Sequence, residues 1–348
     1  MNALHTLVLN DDSRVPKYRQ LVDGVMQQLA NGRLKIGDKI PSINKVSEEL
    51  YLSRDTVEKA YRLLKDEKVI VSVPGKGFYI NRSPVSNQKN VLFLINKLSS
   101  YKMKLYNAFV KAMGDRALTE ILVYHCDETL FLNYLKKNKG AFDYYLIMPH
   151  FKNDKLRYGQ ISKEVAAAIS EIGKEKLILL DNEDVPLPYQ AKSIYQDFES
   201  DIYEALKTGL EKVRKYKKLF LLFPAEALYP YPEKIIQGFR EFCLEQEFDF
   251  EVVYQFFDEF IIMEGDLFIC VEEADLVSLV KKIREDGFEL GKAVGVISYN
   301  DTPLKELLGI TVISTDFDYM GTKAADLVST GAYDRIKNPF NYIERNSL

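Results

Sequence analysis

The sequence predicts an α/β chain in two parts: a winged helix-turn-helix at the N-terminus, then a two-lobed body of parallel sheets covered by helices. Three observations lead there. The first 80 residues carry helix-period apolar stripes and end in a glycine-tipped β-hairpin. Residues 81–90 are polar and aperiodic, as a linker would be. Beyond them, short β-rich runs alternate with helical stretches in two successive series. At 348 residues the chain exceeds one ordinary core. The expected domains are therefore 1–80, a linker at 81–90, and a body at 91–348.

Pro16-Lys17-Tyr18 opens an apolar series at Tyr18, Leu21, Val22, Val25, Met26 and Leu29, the spacing of an amphipathic helix that Asn31-Gly32 ends. After the turn at Gly37-Asp38, Pro41-Ser42 prepares a second helix with Ser42 as N-cap and Val46 and Leu50 inside. Ser53 caps a third, whose inner stripe is Val57, Ala60, Tyr61 and Leu64, so that Arg54, Asp55, Thr56, Glu58 and Lys59 point elsewhere. Residues 69–73 and 78–80 read as two strands joined by Gly75-Lys76-Gly77, a tip without β-carbons that could lie close to a sugar-phosphate wall. The N-terminus of the third helix is the end that enters the major groove in such motifs.

Charge agrees with this division. The overall −4 hides 13 Lys/Arg against 10 Asp/Glu through residue 80, about +3, leaving about −7 on the remainder. No apolar run approaches the roughly 18 residues of a membrane span. The N-terminus lacks the pattern of a secretory signal, so a cytoplasmic location is expected. Cys126, Cys243 and Cys270 are odd in number and far apart, and read as buried small apolar residues rather than disulfide or metal ligands.

The first part resembles the GntR family of bacterial transcription regulators through Pro16-Lys17-Tyr18, Gly37-Asp38-Lys39-Ile40-Pro41-Ser42, Ser53-Arg54-Asp55-Thr56-Val57 and Gly75-Lys76-Gly77. That resemblance implies DNA contacts from Ser42, Lys45, Ser53, Arg54, Thr56 and Lys76, with Gly75 and Gly77 shaping the wing. Asn44 stands where the family usually has Arg. It can bond phosphate or adenine without charge, which implies an altered operator preference or a weaker grip.

In the body the expected strands are 91–95, 121–124, 144–148, 177–180 and 193–195, then, after a helix at about 198–214, 219–223, 250–254, 267–271, 293–297 and 310–313. Ligands of parallel sheets bind beyond the carboxyl ends of the strands. That rule selects residues 96–101, 125–127, Pro149-His150, Asp181-Asn182, Gln196-Asp197, Glu272-Glu273 and Asn300-Asp301.

The body resembles the type I periplasmic-binding-protein fold of LacI-type regulators. The supporting stretches are residues 294–303 and 311–321, Asp181 after its strand, and Gln237-Gly238-Phe239-Arg240. Glu272-Glu273 and Asn300 depart from the usual Asn-Asp and Asp-Asp, which implies different ligand chemistry. Joined to a GntR-type reader, this is the arabinose-repressor arrangement, and it implies a sugar or sugar-phosphate effector between the lobes. Asp181, Asp197, Glu272, Asn300 and Asp301 would bond hydroxyls, and Tyr101, His150 or Phe317 would stack on the ring, with Ser99 beside them. Several of these carboxylates could instead cap helices. An acid-rich cleft disfavours a phosphorylated effector unless Lys97 or Lys102 compensates.

No cofactor, metal or enzymatic activity is expected. His5, His125 and His150 share no catalytic or metal spacing, and no phosphate-cradling glycine loop is present. The chain reads as a repressor of a carbohydrate operon that binds double-stranded operator DNA as a homodimer, away from membranes, and is relieved by its effector. The alternative is a body that binds a non-sugar small molecule or a partner protein.

Overall fold

The computed structural model describes residues 9–10, 13–81, 88–224 and 226–348. His5 and residues 82–87 of the expected linker lie outside these. The chain divides into two compact units, Met1–Gln88 and Lys89–Leu348.

In the smaller unit, α1 (Lys17–Ala30), α2 (Ile43–Glu49) and α3 (Arg54–Asp66) enclose one core, and β1 (Lys39–Ile40), β2 (Ile70–Val73) and β3 (Gly77–Ile80) form an antiparallel sheet in the order β1-β3-β2. The three-four stripes read from sequence are what becomes buried: Leu21, Val25, Val46, Val57, Ala60 and Leu64 are all solvent-free. Tyr61 is buried with them, and its hydroxyl donates to the Pro41 carbonyl at 2.7 Å, tying α3 to the turn that launches α2.

The larger unit contains two six-stranded sheets. In the first lobe β4 (Lys89–Ile95), β5 (Ala117–Val123), β6 (Tyr144–Ile147), β7 (Leu177–Asp181), β8 (Lys192–Tyr195) and β14 (Arg335–Lys337) run parallel in the order β14-β8-β7-β6-β4-β5. In the second, β9 (Lys218–Leu222), β10 (Asp249–Val253), β11 (Asp266–Cys270), β12 (Gly295–Tyr299) and β13 (Thr311–Thr315) are parallel, and β15 (Phe340–Ile343) pairs antiparallel to β13. Their order is β10-β9-β11-β12-β13-β15. Continuous apolar runs form these strands because helices cover both faces: β7, β11, β12 and β13 are buried throughout. All three cysteines are free and buried.

The chain crosses between lobes three times. After β8 it enters α7 (Phe198–Thr208), which packs with α9 (Lys234–Glu245) on the second lobe. After β13 it returns as α12 (Phe317–Thr330), which packs on α4 (Ser100–Met113) of the first. Finally β14 gives way to β15 through Asn338-Pro339. Asn338 joins all three crossings. Its N–H donates to Tyr195 O at 2.8 Å, its side-chain amide donates to Asp316 O at 3.2 Å, and Asp316 N–H donates to Pro339 O at 3.0 Å.

Two of the helix contacts depend on missing β-carbons. A Cβ on Gly238 of α9 would lie 2.0 Å from Glu199 O, and one on Gly321 of α12 would lie 2.2 Å from Leu105 O. Both obstacles are backbone, which cannot swing aside. Gly321→Ala should therefore destabilise the larger unit by about 1–3 kcal/mol despite alanine's better helix propensity. A lowered urea midpoint for that unit is the expected outcome; an unchanged or raised midpoint would show that the helices separate at no cost.

Candidate functional site

Two regions of the molecule gather functional side chains. In the smaller unit, α2 and α3 begin at serine caps: Ser42 Oγ accepts from Lys45 N–H at 3.3 Å, and Ser53 Oγ accepts from Thr56 N–H at 3.2 Å. Ser53 and Thr56 also share a hydroxyl–hydroxyl bond of 2.7 Å. The caps satisfy backbone donors at the helix starts and hold Arg54 exposed in the first turn of α3. Asn44 and Lys45 are exposed on α2, where Lys45 lies 3.6 Å from Glu49. At the wing, Gly75 and Gly77 have φ of 71° and 103°, conformations that suit glycine, and Lys76 is exposed between them. The turn between α2 and α3 presents Tyr51, 96% exposed with φ 51°. Nothing in its spacing singled it out, because a turn residue has no periodic face.

In the larger unit, a cavity with an empty volume of about 650 Å³, its open mouth included, lies between the carboxyl ends of the two sheets. Of the nine residues expected there, Tyr101, His150, Asp181, Asn300 and Phe317 line it. The other four are absent from its lining, and three have explicit local partners. Ser99 caps α4, accepting from Lys102 N–H at 3.3 Å. Asp197 caps α7 and accepts the Ser200 hydroxyl at 2.8 Å. Asp301 is held by both terminal nitrogens of Arg345 at 2.9 Å. Glu272 stands at the start of α10 (Glu273–Glu285). Strand-to-helix turns favour acids for capping alone, and an arginine remote in sequence claimed Asp301.

The backbone aims two of the lining residues. Asp181 and Asn300 end β7 and β12 with φ of 69° and 61°, the left-handed region that Asn and Asp tolerate better than most residues. The buried Lys305 ammonium holds the second turn, donating to Tyr299 O at 2.7 Å and Asn300 O at 3.0 Å.

On the first-lobe wall a polar chain is fully paired. Its pKa directions assign the protons: against its burial, the hydrogen bond from His150 and the Lys102 and Lys97 ammonium groups keep Asp181 below the usual carboxylate range, and burial keeps His150 neutral. His150 Nε2 then donates to Asp181 at 2.9 Å, and Nδ1 accepts from the Tyr158 hydroxyl at 3.0 Å. The Asn182 amide donates to Tyr158 at 3.1 Å, completing the chain.

Two lysines share this wall, Lys97 inside the stretch that the strand-end rule selected and Lys102 just beyond it. Lys102, 4% exposed, donates to Asn96 Oδ1, and burial pushes its pKa down to about 8. Lys97 lies among three tyrosine rings, 4.9 Å from the centroid of Tyr231, 5.6 Å from Tyr101 and 5.7 Å from Tyr229. Tyr229 and Tyr231 belong to a second-lobe loop that reaches the first lobe. The Tyr229 hydroxyl meets His125 Nδ1 at 2.9 Å, and Ala227 N–H donates to Leu156 O at 3.0 Å. Lys234 and Asp184 close the same seam at 2.7 Å.

The rest of the lining is under-bonded. Gln196 Nε2 and Oε1, Asp201 Oδ2, Tyr299 Oη and Asn300 Oδ1 are buried with no hydrogen-bond partner among the described residues. Such atoms are costly, and five of them border this one cavity.

Asp201 makes that cost measurable. Burial pushes its carboxyl up to about 6, opposed by the Lys337 ammonium 3.2 Å away. Asp197 adds to the upward push, and Asp201 acts in turn on Tyr299. A folded-state value above the unfolded one means that stability from this group is full below the unfolded value and is lost as pH rises through about 6. Asp201→Asn should therefore raise the unfolding free energy of the larger unit, read from urea denaturation near pH 7.5, by roughly 1–3 kcal/mol, with the gain vanishing near pH 4. A lower midpoint near pH 7.5 would show that the ionised form is stabilising.

Comparison with known proteins follows the same division. Residues 17–80 match the model of "Bacterial regulatory proteins, gntR family". The chain is 31% identical over 107 residues to the mannosyl-D-glycerate transport/metabolism system repressor MngR of Escherichia coli, covering 31% of this chain and 42% of that protein. It is 30% identical over 100 residues to the transcriptional repressor YtrA of Bacillus subtilis, covering 29% and 73%. It is 27% identical over 93 residues to the arabinose metabolism transcriptional repressor of Geobacillus stearothermophilus, covering 26% of each. The body has the fold of the trehalose repressor from Escherichia coli, with a TM-score of 0.59 at 14% identity over 74% of this chain and all of that one. It also has the fold of a LacI family regulator from Lactobacillus casei with bound glucose, with a TM-score of 0.56 at 13% identity over 74% and 99%. No described helix is long and apolar enough to cross a membrane. With a winged helix-turn-helix at its head and a LacI-type, periplasmic-binding-protein-like body behind it, the chain belongs to the gntR family of bacterial regulatory proteins.

Proposed function

We propose that this protein is a repressor of a carbohydrate-utilisation operon whose effector, a sugar or sugar derivative, binds between the lobes of the body. The observation that carries the effector reading is the set of unpaired buried polar atoms on Gln196, Asp201, Tyr299 and Asn300 around one cavity. Planar amide and acid groups bonding adjacent hydroxyls, with the apolar faces of Tyr101 and Phe317 beside them, suit a polyhydroxylated ring. The names of the mannosyl-D-glycerate, arabinose and trehalose repressors, and the glucose held by the Lactobacillus casei regulator, support the same class.

The reader works by the physics of its helix starts. Arg54 and Thr56 reach base edges from the N-terminus of α3. Ser42, Asn44, Lys45 and Ser53 hold the phosphates, and Gly75-Lys76-Gly77 lies along the backbone. Two copies bind a two-fold operator, because one small module gives too little discrimination. Effector closes the lobes on each other, and the bonds between the three crossings take up the rotation. The resulting coupling, commonly about 1–3 kcal/mol, releases the operator.

Arg54→Ala should weaken specific operator binding by about 1–3 kcal/mol, which is roughly 5- to 150-fold in a gel-shift titration, while leaving the thermal transition in place. Wild-type protein that shows no sequence preference over competitor DNA would refute the regulator reading. A thermal-shift panel of pentoses, hexoses, sugar acids and sugar phosphates should contain a ligand that stabilises the protein and dissociates it from operator. A panel without any response would refute the effector reading.

A further inference from the structure

The charges in the cavity restrict the effector further. Two lysines line it, and the carboxylates that line it are already engaged: Asp181 through His150, and Asp201 through Lys337. His150 is neutral, so Asp181 offsets one ammonium at most. Lys97 makes no ion pair among the described residues; its surroundings are tyrosine rings and the Tyr231 hydroxyl at 3.4 Å. Lys102 is nearly inaccessible and has only the Asn96 amide oxygen as acceptor. A part-buried cation without a counter-ion is expensive, and burial already weakens the proton on Lys102. Against burial, Tyr101 and Tyr231 keep the Lys97 pKa above the usual lysine range, so that ammonium stays charged with no carboxylate paired to it.

We infer that the effector is an anionic polyol, whose carboxylate or phosphate group sits against Lys97 and Lys102 while its hydroxyls satisfy Gln196, Asp201, Tyr299 and Asn300. This rests on the proposed effector role of the cavity and narrows it. It also takes up the exception in the expectation from sequence, that an acid-rich cleft disfavours phosphate unless Lys97 or Lys102 compensates. The acids that were to make the cleft hostile to phosphate, Asp197, Glu272 and Asp301, do not line it, whereas both lysines do. The Tyr-Pro-Tyr-Pro loop places Tyr229 and Tyr231 beside Lys97 and would shield a bound anion there from water, and Coulomb attraction is stronger in such a lower dielectric.

The test is calorimetric titration of the full chain with matched sets: neutral aldoses, the corresponding aldonic and uronic acids, and the corresponding sugar monophosphates. Binding confined to the acids or to the phosphates supports the inference, and the responding set says which anion is carried. Lys97→Gln should then weaken that ligand at least tenfold while the unliganded protein still unfolds in one cooperative thermal transition, and Lys97→Arg should restore part of the loss. Binding of neutral aldoses in preference to both charged sets would overturn the inference while leaving a sugar-responsive regulator intact. Unchanged affinity of the charged ligand in Lys97→Gln would overturn it as well. Silence from all three sets would overturn the effector reading on which it rests.

Discussion

Asn338 holds together the three places where the chain passes between lobes, and the arrangement of the body depends on that junction. By bonding Tyr195, Asp316 and Pro339 into one cluster, it fixes where β8 yields to α7, β13 to α12 and β14 to β15. Both sheets then present their carboxyl ends to the same space, and side chains far apart in sequence converge there. The junction is almost solvent-free, with Asn338 1% exposed, so its hydrogen bonds face little competition from water. Lobe movement has to be accommodated at these few backbone positions, because the packed helices on either side resist gradual deformation.

The cavity walls differ in kind. The chain Asp181–His150–Tyr158–Asn182 is saturated and orients its members before anything binds. Across from it, Asp201, Tyr299 and Asn300 retain unpaired atoms, and a carboxylate is held above its ordinary pKa. One wall is saturated and the other keeps unpaired polar atoms at the expense of stability, the tension that the proposed effector site would require. The left-handed turns at Asp181 and Asn300 add to the same tension, since strained backbone persists only where its surroundings hold it.

Much of this was legible in the sequence, for reasons that differ by element. Most buried parallel strands announced themselves as apolar runs, with β8, which opens on the buried Lys192 and Ser193, as an exception, and the helix stripes of the reader became its core. β14 and β15 went unseen because Arg335-Ile336-Lys337 and the segment after Pro339 are edge strands without an apolar run. In the cavity, the rule of strand ends found Asp181, His150 and Asn300, whose positions follow from topology alone. It could not tell a ligand-facing acid from a capping acid. Asp197 satisfies α7, and Asp301 is claimed by an arginine more than 40 residues away. Tyr229 and Tyr231 escaped because they lie several residues past β9, in a loop whose path only the second lobe's packing defines. Asp201 escaped because it sits inside a helix, where an acid ordinarily faces solvent.

The return of α12 and β14 to the first lobe has a consequence for biogenesis. Phe317, Met320, Ala324 and Val328 cover the same apolar face as Phe93, Phe109 and Leu146, but the ribosome makes them last. A nascent first lobe therefore waits, with that face bare, while roughly 120 residues of the second lobe are synthesised, on the order of ten seconds at ordinary elongation rates. During that interval an exposed greasy surface and an unpaired edge at β8 are available to other nascent chains. Yield in the cell should thus be limited by chaperone capture of this intermediate more than by the stability of the finished molecule.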